Sequence, residues 1–151
     1  MLEPLNLPVA PLKLTRKDGT IYVLCLLRKK RLVLTPEEWV RQHVVYFLSH
    51  FRHYPESLMR IEMGIKIHGL SRRCDLVLFD KKGIAKMIVE CKAPHVKLSE
   101  MTFEQAAHYN QEVNVEYLFL TNGIEHRIYQ IQTEEKQLLL LEDVPYFEAL
   151  K

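Results

Sequence analysis

Apolar and polar residues alternate along this chain with two different periods. Leu12-Lys13-Leu14-Thr15 alternates, Lys17-Asp18-Gly19 supplies a turn, and Thr20 to Leu27 is β-rich, which predicts an N-terminal hairpin. Arg28-Lys29-Lys30-Arg31 follows as a basic turn before Leu32-Val33-Leu34. Thr35-Pro36-Glu37-Glu38 then signals a helix start, with Thr35 as N-cap, Pro36 in the first position and Glu38 completing a capping box. The stripe Val40, Val44, Phe47, Leu48 and Phe51 carries this helix to about Arg52, before Pro55. Glu37 stands at the head of that stripe, and Glu38 is turned away from it.

Three strands are expected next. Ile61, Met63, Ile65 and Ile67 alternate with Glu62, Gly64 and Lys66; residues 72–80 form the second strand; Lys81-Lys82-Gly83 is a tight turn. The third runs from Ile84 to Ala93 and ends at Pro94, which has no N–H to give a ladder. A second helix spans about 102–113, capped by Thr102 or Ser99, and Tyr117 to Thr121 is a continuous apolar strand closed by Asn122-Gly123. Residues 127–132 and 137–141 read as two further strands, with a short helix closing the chain. This αβββαβ order predicts a mixed α/β domain whose first three core strands are antiparallel, flanked by the 36–52 and 102–113 helices. Residues 1–151 read as one domain, with 1–34 a hairpin extension and 35–132 the core.

Composition narrows the class without giving a function. Hydrophobic residues make up 48% and charged ones 26%, the mix of an ordinary globular domain. No apolar run approaches the roughly 20 residues that span a bilayer. The opening Met-Leu-Glu-Pro-Leu-Asn lacks the basic flank and apolar stretch of a secretory signal, so a cytoplasmic protein with no membrane partner is expected. Cys25, Cys74 and Cys91 are odd in number, form no Cys-x-x-Cys pair and lie in apolar segments, which reads as buried reduced thiols. A formal charge of +2 does not argue for nucleic acid, so any DNA contact must rest on a local patch.

The chemistry lies in where charge interrupts apolar strands. Acid-x-Lys triplets occur at Asp80-Lys81-Lys82, Glu90-Cys91-Lys92 and Glu134-Glu135-Lys136, against about 1.5 supplied by chance, so the triplet alone is a weak signal. Only Glu90 and Lys92 interrupt a strand, after Met87-Ile88-Val89, and two residues apart they share one face. Asp75 breaks the neighbouring strand between Cys74 and Leu76. Pairing through the 81–83 turn brings Asp75 opposite residue 89 or 90. Charges inside a sheet cost several kcal/mol each unless paired or metal-bound. Two carboxylates and an amine on one face suit a hard divalent cation and a phosphate ester. The competing reading is a structural ion pair.

These residues resemble a known signature. Asp75, fourteen intervening residues and Glu90-Cys91-Lys92 resemble the PD-(D/E)XK nuclease superfamily. Thr35 to Gln42, Arg73-Cys74-Asp75, Glu90 to Pro94, Gln105 with Tyr109 and Asn110, and Thr121-Asn122-Gly123 together are similar to the N-terminal nuclease domain of type I restriction enzyme R subunits, over about residues 30–130. The resemblance implies a restriction-endonuclease-like core and a Mg²⁺-dependent endodeoxyribonuclease, with Mn²⁺ as a substitute. Asp75 and Glu90 would ligate the metal, helped by the Cys91 carbonyl and, through water, by Glu37 in preference to Glu38. Lys92 would act on the attacking water, Gln105 would face the site, and Tyr109, Arg72, Arg73 and Lys97 would contact DNA. Residue 74 is Cys where the signature has Pro, which leaves the chemistry intact. No Gly-x-x-x-x-Gly-Lys-Ser/Thr occurs, so the chain carries no ATP-driven motor and would take a motor or specificity from a partner subunit. The alternative is a catalytically idle nucleic-acid-binding or scaffold module of the same fold. His50 and His53 read as a surface pair, and His95 as an exposed loop residue.

Overall fold

The computed structural model of the chain describes residues 2–67, 70–110 and 114–150; for 62–67, 70–74 and 109 it describes the backbone alone. A small antiparallel sheet comes first: β1 (Leu14–Lys17), β2 (Thr20–Leu24) and β3 (Arg31–Val33), in that order. Asp18 and Gly19 turn β1 into β2 with φ of 51° and 80°, the conformation that matches strand twist in a two-residue hairpin. The predicted hairpin therefore gains a third strand. Residues 25–27 leave β2 because Cys25 closes the next turn, its N–H donating to Lys30 O and its carbonyl accepting from Lys29 N–H.

Helix α1 (Pro36–Phe51) starts as predicted, with Thr35 Oγ1 accepting from Glu38 N–H at 3.0 Å. The capping box is not completed. The Glu38 carboxylate turns inward onto Arg41 and Gln42 and is buried, correcting the expectation that it faces away. The buried stripe also lies further round the helix than predicted. Val40, Val44, Val45 and Leu48 are buried together with Arg41, Gln42 and His43, while Phe51 is exposed and stacks on Phe47.

The larger sheet has the order β4 (Met59–Ile67), β5 (Leu70–Phe79), β6 (Ala85–Cys91), β7 (Tyr117–Thr121), β8 (His126–Gln132) and β9 (Gln137–Leu141). The first three are antiparallel, as expected from their short connections, and β6 runs parallel to β7 after a crossover through α2 (Phe103–Tyr109). Leu76, Leu78, Met87, Val89 and Phe119 face α1, whereas Val77, Ile88 and Leu118 pack with Ala106 of α2 on the other side. Burial on both faces is why 87–89 reads as an unbroken apolar run. Helix α2 ends at Tyr109, with Asn110 as its C-cap, short of the expected 113. The Asn110 amide bonds both the N–H and the carbonyl of Val115, which ties the crossover loop; 111–113 lie outside the described residues. The short closing helix is a single 3₁₀ turn, Phe147–Ala149.

The N-terminal residues lace back over the core. Trp39 Nε1 donates to Glu3 O at 2.8 Å and Asn6 N–H to Gly123 O at 2.7 Å. Gly123 has φ +87°, and a Cβ there would lie 2.7 Å from Leu5 Cδ2. Cys25 and Cys91 are free and buried; the Cys74 side chain lies outside the described residues. Among the described residues no helix is long and apolar enough to cross a membrane.

Candidate active site

The register Leu76↔Val89, Val77↔Ile88 puts Asp75 one step beyond the last β5–β6 ladder pair, opposite Glu90. The ladder stops there for a local reason. Cys91 N–H, which a continued ladder would hand to a β5 carbonyl, donates instead to Asp75 Oδ2 at 2.8 Å. Lys92 N–H points the other way, to Thr121 O of β7 at 2.8 Å. The second Asp75 oxygen, Oδ1, accepts from Arg41 Nη2 of α1 at 2.8 Å. The same guanidinium donates to Glu38 Oε1 at 2.9 Å and to Glu37 Oε1 at 3.3 Å. Glu90 and Lys92 alternate with buried Val89 and Cys91, and their charged ends lie 3.9 Å apart.

Burial is uneven across this cluster. The Arg41 side chain is 7% exposed, Glu38 8% and Asp75 15%, against 46% for Glu37. Burial and then the neighbouring Asp75 charge push the Glu37 carboxyl above its ordinary range, with Arg41 and Lys92 pulling the other way. The Cys91 thiol, fully enclosed between these groups, is raised far more, by burial first and Asp75 next. Arg41 is held charged because Glu38 and Asp75 outweigh the cost of its own burial. Among the described side chains, four carboxylates (Glu37, Glu38, Asp75, Glu90) thus gather with two cations (Arg41, Lys92).

A family model described as type I restriction enzyme R protein N terminus matches residues 36–145. The chain belongs to that family. Membership ties it to restriction systems, and the matched span runs from the first turn of α1 past the end of β9, so it contains every charged residue of the cluster. No curated protein and no solved structure matches the chain.

Within this family member the sequence-predicted residues fall into three groups. Glu37 and Asp75 meet through Arg41; Glu90 and Lys92 pair beside them; Cys91 joins the two sets through its main-chain N–H. Gln105 does not join them. Its Oε1 accepts from Thr102 N–H at 2.9 Å in a complete capping box, which corrects the expectation that it faces the acids. Lys97 and His95 are exposed on the loop after β6. His50 bonds Ser49 and stacks on Tyr46, while His53 pairs with Glu148, so both are surface residues, as expected. The side chains of Glu62, Arg72, Arg73 and Tyr109 lie outside the described residues. The backbone puts Arg72 opposite Ile65 and Arg73 opposite Gly64 in the β4–β5 ladder.

Arg41 and Gln42 are site residues that the sequence reading missed. Gln42 Nε2 donates to Glu38 Oε2 at 2.8 Å, and its Oε1 accepts from Leu26 N–H, so it locks Glu38 against the turn that follows β2. The signal was available. Arg41 precedes Val44, Val45 and Leu48 by three, four and seven residues, which sets a guanidinium on the apolar stripe. Among the described residues no three His, Cys, Asp or Glu side chains are already gathered into a metal-binding group; Arg41 stands between Glu37 and Asp75. The donor set itself fits a hard divalent cation: the carboxylate oxygens of Asp75, Glu90 and Glu37.

Proposed function

We propose that this chain is a Mg²⁺-dependent endonuclease that hydrolyses DNA phosphodiester bonds, on a restriction-endonuclease-like core of PD-(D/E)XK type. The observation that carries this reading is the meeting of Asp75 and Glu90 at the end of two central strands, with Glu37 joined to Asp75 through Arg41, beside the exposed amine of Lys92. Asp75, Glu90 and Glu37 would hold Mg²⁺ or Mn²⁺ with the Cys91 carbonyl. The ion, when bound, supplies charge neutralisation at the phosphate and a water of lowered pKa. Lys92 orients that water and stabilises the developing charge, and Arg72, Arg73, Lys97 and Tyr109 contact the DNA backbone. Gln105 has no part in this reading while it closes its cap. A partner subunit supplies a motor or the sequence specificity.

One observation favours a second reading. Arg41 already bridges Asp75, Glu38 and Glu37, as it would in a catalytically idle nucleic-acid-binding or scaffold module of the same fold. Lys92→Ala separates the two. In the nuclease, cleavage in Mg²⁺ or Mn²⁺ falls by about a hundredfold or more. The melting temperature holds or rises, because a pair 3.9 Å apart with Lys92 49% exposed adds little stability. Asp75→Asn removes Mn²⁺ binding as seen by calorimetry. A wild type that cuts no form of DNA with either metal overturns the nuclease and leaves the scaffold.

A further inference from the structure

Arg41 sits where a cation would sit. Its three described carboxylate partners are not equivalent. Glu38 is buried, bonded at 2.9 Å, and fixed from behind by Gln42, which is itself anchored on Leu26 N–H. Glu37 is half exposed and holds the longest of the three bonds, at 3.3 Å. Asp75 lies between these extremes; Arg41 holds Oδ1, while Oδ2 is committed to Cys91 N–H. The guanidinium therefore has one fixed anchor and two partners that face the open end of the β5–β6 ladder. Among the described side chains, one guanidinium is shared by three carboxylates, oxygen ligands of the kind a divalent ion takes. Those partners are the very oxygens that the proposed metal needs.

We propose that Arg41 is an exchangeable counter-cation: a divalent ion binds this site by displacing the guanidinium from Asp75 and Glu37, while Glu38 keeps Arg41 tethered beside it. The inference rests on the nuclease reading in that the incoming ligand is the metal of that reading. In the metal-free protein Arg41 keeps the acids from repelling one another. Two cations cannot share the same lone pairs, so metal affinity is set partly by how firmly Arg41 holds on. The exchange moves a charged group away from the acids at the moment the ion arrives, and it leaves Arg41 within reach of any anion the ion brings.

Calorimetric titration of Mn²⁺ into wild type, Arg41→Lys and Arg41→Met at one ionic strength tests this, with melting temperatures recorded with and without Mn²⁺. Arg41→Met is expected to bind Mn²⁺ at least tenfold more tightly than wild type, with Arg41→Lys in between. Mn²⁺ is also expected to raise the melting temperature of Arg41→Met more than that of wild type. Should Arg41→Met fail to fold without metal, recovery of its folded state by Mn²⁺ supports the exchange. If it folds under neither condition, Arg41→Lys decides: tighter binding than wild type supports the exchange, and equal or weaker binding overturns it. Wild type that binds Mn²⁺ alongside variants that bind no more tightly overturns the exchange and leaves the nuclease reading standing. No Mn²⁺ binding by any of the three overturns both.

Discussion

At the scale of single residues, Glu37 offers a test that needs no substrate. Its carboxyl is raised by burial and by Asp75, so the folded protein holds that proton more tightly than the unfolded chain does. Stability from this group is therefore greatest at low pH and declines as pH rises from the unfolded value near 4.5 through the raised folded one. Glu37→Gln removes that decline. The metal-free variant is expected to melt slightly higher than wild type at neutral pH and no higher in acid below the unfolded pKa. The gain is small because the side chain is 46% exposed and well solvated. An equal gain at both pH values would detach the effect from the charge. Asp75, Glu90 and Lys92 could be picked from the sequence because each interrupts an apolar strand, where a charge stands out. Arg41 and Glu38 were hidden by the opposite circumstance: a helix surface full of charges, in which the buried ones show only once the phase of the stripe is right.

At the scale of elements, phase and chain reversals decided what could be foreseen. The α1 stripe was anchored on Phe47 and Phe51, large residues that in fact mark its edge, so Glu38 was assigned outward. The three antiparallel strands followed from connection lengths alone. The early end of α2 did not, because it depends on Asn110 clasping Val115, a contact with no periodicity to announce it. Gly123 joins two elements in a way that can be measured. Alanine there must adopt φ +87°, which costs roughly 1–2 kcal/mol, and its Cβ would meet Leu5 Cδ2 at 2.7 Å. Gly123→Ala is expected to lower the melting temperature, and Leu5→Ala in the same chain should restore only the contact share of that loss. Full additivity of the two changes in thermal melts would show that the N-terminal residues do not press on this turn.

At the scale of the whole molecule, a net charge of +2 makes any DNA affinity a matter of where the positive charge is placed. The exposed 28–31 turn is not a loose tail. Leu26 N–H is held by Gln42 at 2.9 Å, and Arg28 Nη2 donates to Ile61 O at 3.3 Å, on the strand residue paired with Leu76 beside Asp75. Replacing Lys29 and Lys30 by alanine is expected to weaken DNA binding and to lower the slope of log affinity against log salt by about 2, while Mn²⁺ binding stays as it was. An unchanged slope would remove the turn from the DNA contact. The packing of the larger sheet has a consequence of another kind. Cys91 places a sulfur at 1% exposure directly under the acids, protonated by its burial, and its own N–H is the bond that ends the β5–β6 ladder. A maleimide can reach that sulfur only when the strands part, and the same parting breaks Asp75 from its donor. The rate at which Cys91 is alkylated, resolved from Cys25 and Cys74 by mass spectrometry, thus reports how readily the sheet opens beneath the site.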